Sequence, residues 1–290
     1  MMKYALFLGC NIPARVKQYD LSARSVLKKL GVNVADIREF NCCGYPMKNS
    51  DFKTSLLFSA RNLALAEKEN LSILTLCQCC FGTLKKAAHL FKEEIGLKDE
   101  VNAFLSKEKL SYHGKVEVKH FLSMLHKEIG TTAIKEKVSN GFKKLKIAAH
   151  YGCHALRPSD VMQFDDPVAP VVFDELVDVT GAESVDWSMK TECCGAPLLG
   201  VNDDLSMTLT EKKLANGKAS GADFLCAACP WCQLQFDTVQ KLMEAKGRSN
   251  HNLPSILYPQ LLGLAMGIPG EELGIQMNQK DLSSIKAFLT

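Results

Sequence analysis

One cysteine pattern occurs twice along the chain, and nothing else in the sequence restricts the fold as much. The first half carries Cys10, the adjacent pair Cys42-Cys43 and the run Cys77-Gln78-Cys79-Cys80. The second carries Cys153, the pair Cys193-Cys194 and the run Cys226-Ala227-Ala228-Cys229-Pro230-Trp231-Cys232. Corresponding cysteines are 143 residues apart at Cys10 and Cys153, 151 apart in the pairs, and 152 apart when Cys77 and Cys80 are set against Cys229 and Cys232. The flanks repeat too: Leu8-Gly9-Cys10-Asn11 answers Tyr151-Gly152-Cys153-His154, and Cys42-Cys43-Gly44-Tyr45-Pro46 answers Cys193-Cys194-Gly195-Ala196-Pro197. Self-similarity held in register means two copies of one structural unit. Five cysteines in each half are matched, while Cys79 and Cys226 are left over and read as spare thiols near the sites.

The compartment decides what such cysteines can do. With 290 residues, 47% of them hydrophobic, 23% charged and a net charge of +3, the chain reads as an ordinary globular protein with room for two cores. Disorder, a collagen-like fibre and a nucleic-acid-binding basic protein are excluded. The longest apolar stretch, Leu261 to Ile268, is bracketed by Pro259 and Pro269 and falls far short of a membrane span. The stretch Tyr4 to Gly9 runs straight into Cys10 and polar sequence, which marks a buried strand instead of a signal peptide. A reducing, cytoplasmic setting is therefore expected, where clustered cysteines serve metal or redox chemistry in preference to structural disulfides.

Hydrophobic patterning explains why cysteines so far apart can meet. Lys3 to Leu8, Val32 to Ile37 and Leu71 to Leu76 read as strands, separated by helices over Asp20 to Leu30 and Asp51 to Glu69, with Gly31 and Ser50 as caps. In the second half the strands are Lys146 to Ala149, Ala182 to Asp186 and Ala222 to Leu225. Helices are expected over Val168 to Val179, Asp203 to Ser220 and Leu234 to Lys246, with Gly181 and Gly221 at C-caps. Val116 to Asn140 reads as a linking helix that ends in a basic, solvated stretch including Lys135, Lys137, Lys143, Lys144 and Lys146. Each cysteine group follows a strand. The expected fold is α/β, with two repeated halves, 1–145 and 146–290, each with a parallel sheet core and cysteines at the carboxyl ends of its strands, where such sheets bind ligands.

Five thiols per half exceed what a structural zinc requires, and only one Cys-x-x-Cys occurs in each. The surplus points to iron and sulfide, with the adjacent pair suited to crowding thiolates around a cluster. Gly44 and Gly195 remove a side chain where the backbone must turn close to sulfur, and Pro46 and Pro197 stiffen the exit. His150 and His154 bracket Cys153, either as polar groups at a strand end or as proton suppliers; His154 is the catalytic candidate. Arg15, Lys17 and Arg157 would put cations near both sites, and Trp231 would shield a cluster from water. Met162, Met189 and Met266 read as core. No dinucleotide fingerprint, phosphate loop or four-cysteine ferredoxin run is present, so flavin and cubane relays must come from partner subunits.

These motifs, together with Phe7-Leu-Gly-Cys10-Asn11-Ile-Pro-Ala-Arg15 and His150-Tyr-Gly-Cys-His-Ala-Leu-Arg157-Pro-Ser159, resemble the cysteine-rich CCG domain family and, within it, the B-type subunits of heterodisulfide reductases. The resemblance spans essentially the whole chain. It implies two Rossmann-like halves related by a pseudo-two-fold axis, each binding one noncubane [4Fe-4S] cluster, on Cys10, Cys42, Cys43, Cys77 and Cys80, and on Cys153, Cys193, Cys194, Cys229 and Cys232. Family members in methanogens split the coenzyme M–coenzyme B disulfide, with electrons arriving through two partner subunits of the same complex, one bearing cubane iron–sulfur clusters and the other bearing flavin. A small-molecule or protein disulfide substrate is thus implied. Two other readings stay open: an electron-relay subunit like those of lactate or glycolate oxidases and some succinate dehydrogenases, and a zinc-bound scaffold.

Overall fold

The structure, a computed structural model, describes residues 2–248 and 251–290. The first half builds a four-stranded parallel sheet from β1 (Lys3–Phe7), β2 (Asn33–Ala35), β3 (Ser72–Thr75) and β4 (Val118–His120), ordered β2-β1-β3-β4. The second repeats it with β5 (Lys146–His150), β6 (Glu183–Ser184), β7 (Phe224–Ala227) and β8 (Ser255–Leu257), ordered β6-β5-β7-β8. Tyr4 of β1 lies opposite Val34 on one side and Ser72 on the other, and Ile147 of β5 opposite Ser184 and Phe224. The chain order reverses direction between β1 and β3 and between β5 and β7, and a doubly wound sheet opens its ligand crevice there.

Two strands depart from the expectation. The stretch Val116 to Asn140 is not one helix: it opens with β4, turns into the short helix Phe121–Met124 and continues through Ile129 before a separate helix, Thr131–Lys135. Its strand is three residues long with Lys119 between Val118 and His120, so the period-two signal is nearly absent even though His120 is fully buried. β8 is equally short and follows a proline.

The helices carry apolar stripes onto these sheets. Tyr19, Ala23, Val26 and Leu27 form the buried face of Lys17–Lys29, which ends as the left-handed Gly31 turns the chain into β2. The helix Phe52–Lys68 is capped by Asp51, whose carboxylate accepts from the Thr54 N–H at 3.0 Å. Ser50, the expected cap, instead donates its hydroxyl to the Met47 carbonyl. Asp51 stands one residue nearer the helix, where its side chain reaches the exposed amide. Several helices lie outside the sequence expectation. Gln78–Glu93 starts inside the cysteine motif, and Ile95–Leu105 follows it.

The halves interlock reciprocally. The helix Tyr258–Ala265, after β8, lies against Lys17–Lys29 of the first half, and Phe121–Met124, after β4, lies against the second-half helix Val172–Asp178. One continuous apolar core results, running from Tyr4 through Phe121 and Phe173 to Ile285. It fixes the carboxyl edges of the two sheets against each other.

Candidate metal centre

The twelve cysteines are all free thiols, and ten gather in two sets. Cys10 follows β1 across Gly9, which takes the left-handed conformation; Cys42 and Cys43 lie in the loop after β2; Cys77 caps the helix Gln78–Glu93 and Cys80 sits in its first turn. The sulfurs of Cys10 and Cys42 are 3.8 Å apart, and Cys43 pairs with Cys42 and Cys80. In the second set Cys193 pairs with Cys153 and Cys194, the sulfurs of Cys194 and Cys232 are 3.4 Å apart, and Cys232 adjoins Cys229.

A repeated polar brace holds both Cys-Cys-Gly loops. Gly44 and Gly195 have φ of +95° and +93°, and a Cβ on them would lie 2.4 Å from the Ser55 carbonyl oxygen and 2.5 Å from that of Ser206. The Ser55 and Ser206 hydroxyls donate to the Gly44 and Gly195 carbonyls at 2.9 and 3.0 Å. One turn on, Ser59 donates to the Cys43 carbonyl at 2.7 Å and Thr210 to that of Cys194 at 3.0 Å. These hydroxyls are buried and stand four residues apart on one helix face, as the α-helical repeat requires. The sequence reading missed them. The signal was available, because Ser55 and Ser206, like Ser59 and Thr210, are separated by the same 151 residues as the cysteine pairs.

Crowding polarises the thiols in the same way in both sets. Cys42 is lowered to about 2 by Cys10, Cys43 and the backbone N–H of Gly44, and Cys193 to about 2 by Cys153, Cys194 and the N–H of Gly195. Cys10 and Cys153 are pushed up, first by those same neighbours and then by burial.

The first set borders a small space, and beside it the second set opens onto a cleft of about 330 Å³ that residues of both halves line. The first half contributes Tyr45, Lys48 and Cys79 to its wall; the second contributes Cys153, His154 and Trp231. His154 Nδ1 lies 3.2 Å from Cys153 Sγ and 3.7 Å from Cys79 Sγ, the Tyr45 ring stands edge-on to it at 5.0 Å, and burial lowers its pKa. Trp231 also lines the small space beside the first set, so it separates the two. Cys79, read as a spare thiol near the sites, has its sulfur within 4.8 Å of those of Cys77 and Cys229. Cys226 lies within β7 and is fully buried. Arg15, Lys17 and Arg157 do not line the cleft. Arg157 turns to the carbonyls of Thr191 and Pro167, and Lys48 is the cation at the wall.

The donor set suits iron and sulfide. Ten free thiols gather by fives, and among the described residues the groups close enough to share an ion contain only cysteine and histidine. Zinc would leave thiols over.

Two parallel sheets, each gathering five thiols at its carboxyl edge, define a duplicated cysteine-rich domain protein. The sequence profile of the CCG cysteine-rich domain matches residues 4–85 and 147–237, and the chain belongs to that family. It is 38% identical over 282 residues, 96% of this chain and 94% of the relative, to the B-type subunit of a CoB-CoM heterodisulfide reductase of Methanosarcina acetivorans. It is 33% identical to the 8-methylmenaquinol:fumarate reductase membrane anchor subunit of Wolinella succinogenes, over 98% of this chain and 99% of that one. A hypothetical protein from Helicobacter pylori shares the fold with a TM-score of 0.75 at 21% identity, over 97% of this chain and 52% of that one. Among the described residues no helix is long and apolar enough to cross a membrane.

Proposed function

We propose that the chain is the B-type subunit of a heterodisulfide reductase or a related complex, and that it reduces a disulfide between two noncubane [4Fe-4S] clusters. One cluster belongs to each half, 1–145 and 146–290. Cys10, Cys42, Cys43, Cys77 and Cys80 hold the first, and Cys153, Cys193, Cys194, Cys229 and Cys232 the second. The observation that carries this reading is the approach of the two five-thiol sets: the sulfurs of Cys77 and Cys229 lie within 4.8 Å of each other, next to a cleft that residues of both halves line. When bound, the clusters supply one-electron chemistry on each side, and a disulfide takes two electrons in all. The residues of the chain do the rest. Tyr45 and Trp231 exclude water from the cleft, Lys48 faces anionic groups of the substrate, and His154 holds a proton at its ring for a departing thiolate. Electrons arrive from the iron–sulfur and flavin partners in the same complex.

The test is composition followed by turnover. Anaerobically reconstituted protein should carry about eight irons and eight sulfides per chain. With its electron-donating partners it should reduce a disulfide such as that of coenzymes M and B. Stoichiometric zinc with negligible sulfide would defeat the reading. The likeness to one component of a quinol:fumarate reductase favours a second reading, an electron relay with no substrate of its own. A cluster EPR signal that changes on adding a disulfide separates the two, since a relay gives none.

A further inference from the structure

The repeat register exposes two places where the halves differ beside otherwise equivalent thiols. Shifting by 151 residues sets Lys213 against Asn62, and shifting by 143 sets His150 against Phe7. All four are completely buried.

Asn62 is a neutral brace whose amide donates to the Cys42 carbonyl at 3.1 Å and accepts from the Asn41 N–H at 3.0 Å. Lys213 occupies the same helix position in the second half. Its ammonium donates to the carbonyls of Met189 and Glu192 and lies 4.9 Å from the centre of the Trp187 ring. Among the described residues no carboxylate comes within salt-bridge distance of it. Carbonyls satisfy its N–H groups but leave its charge uncompensated, and burying an unpaired cation is costly. The anionic groups in reach of it are sulfur at Cys194, Cys232 and Cys193, together with the Glu192 carboxylate beyond salt-bridge distance.

The second difference points the same way. Phe7 is apolar and stacks edge-on against Phe40. His150 has two ring nitrogens with no hydrogen-bond partner, and a ring nitrogen shares a 4.8 Å neighbourhood with the sulfurs of Cys194 and Cys232. One nitrogen of a neutral imidazole always carries a proton, so an N–H is on hand where the nearby acceptors are thiolates.

We propose that Lys213 and His150 hold the second-half cluster at a higher reduction potential than the first-half cluster, so that the two sites are electronically unequal despite matching thiols. This rests on the cluster reading above. A positive charge and an N–H donor both stabilise the more negative, reduced state, and hydrogen bonds to sulfur together with net charge are the protein's main levers on such potentials. Both levers lie in one half. The two residues act through the cluster and are positioning residues, so their signature is a potential.

The experiment is an EPR-monitored redox titration of the anaerobically reconstituted full chain. Wild type should show two reduction steps. Lys213→Met should move only the higher one, downward, by at least tenfold in the reduction equilibrium, which is 59 mV for one electron. Lys213→Arg should restore it, and His150→Phe should move the same step in the same direction. Unmoved steps in both Lys213→Met and His150→Phe at full iron content would overturn the proposal, as would both steps moving together. If Lys213→Met loses iron, His150→Phe decides: a shift of one step supports the proposal, and no shift overturns it. A wild-type chain that binds no iron would instead overturn the cluster reading, and the asymmetry with it.

Discussion

The sulfurs of Cys77 and Cys229, contributed by opposite halves of the chain, lie within 4.8 Å of each other. Each residue stands at the N-cap position of a helix, Gln78–Glu93 for Cys77 and Pro230–Gln233 for Cys229. The two thiol sets therefore meet, and the halves share a centre.

Shared use of that centre has a kinetic consequence. Cys42→Ser and Cys193→Ser each disturb one set only. Either should abolish disulfide turnover with the electron-donating partners, even while the remaining half still accepts an electron. Turnover near the wild-type rate in one variant would show that its half is dispensable and would favour the relay reading.

The Cys-Cys-Gly turn should be the least substitutable backbone in each half. Gly44→Ala and Gly195→Ala combine a left-handed backbone with a Cβ driven to about 2.5 Å from a carbonyl oxygen of the bracing helix. The expected cost is at least about 2 kcal/mol each, with loss of metal from the affected half. Gly31→Ala is the control, since its φ is also positive but a Cβ there meets nothing within 4 Å. It should cost about 1 kcal/mol through the backbone alone. Urea midpoints and iron content would measure both effects, and equal behaviour of the three variants would refute the close-approach argument.

The sequence made the sheet-edge design legible because cysteine and glycine are chemically unambiguous and the repeat doubled each of them. Gly44 and Gly195 could be assigned before any coordinates, since a left-handed turn beside sulfur leaves few alternatives. The features that stay hidden in the sequence depend on distance. β4 and β8 have three residues each and are defined by pairing with β3 and β7, which local periodicity does not record. Cys79 looks idle in sequence because its neighbour Cys229 comes from the other half. Arg15 and Arg157 adjoin cysteines along the chain yet stay off the cleft wall, whereas Lys48 reaches it after the Pro46 turn.

Cys79 and Cys226 should behave differently from each other. Cys226→Ala removes one sulfur from β7 and should cost about 1 kcal/mol of stability without changing iron content. Cys79→Ala should also keep its iron, because five other thiols remain in the first half, but it opens the cleft beside His154 and should alter turnover or substrate affinity. Iron loss from Cys79→Ala as large as from Cys43→Ala would show that Cys79 is a ligand and that the alignment of the Cys-x-x-Cys segments is wrong.

A last expectation concerns acid. His120 is completely buried at the end of β4, with the rings of Phe81 and Phe164 edge-on to it at 5.8 and 5.7 Å, and its Nδ1 accepts the Leu122 N–H at 3.3 Å. Burial lowers its pKa to about 4 from the ordinary 6.5. Between those values the unfolded chain binds a proton that the folded chain refuses, so stability rises with pH across the window and is lost as pH falls from 6.5 toward 4. The contribution is on the order of 3 kcal/mol over the whole interval. His120→Asn keeps a side chain that can cap the helix but does not titrate. Unfolding midpoints of the two proteins, taken in the same metal state at steps of pH through this interval, should show a shallower dependence in the variant. Parallel slopes would mean that His120 is not a source of the acid sensitivity.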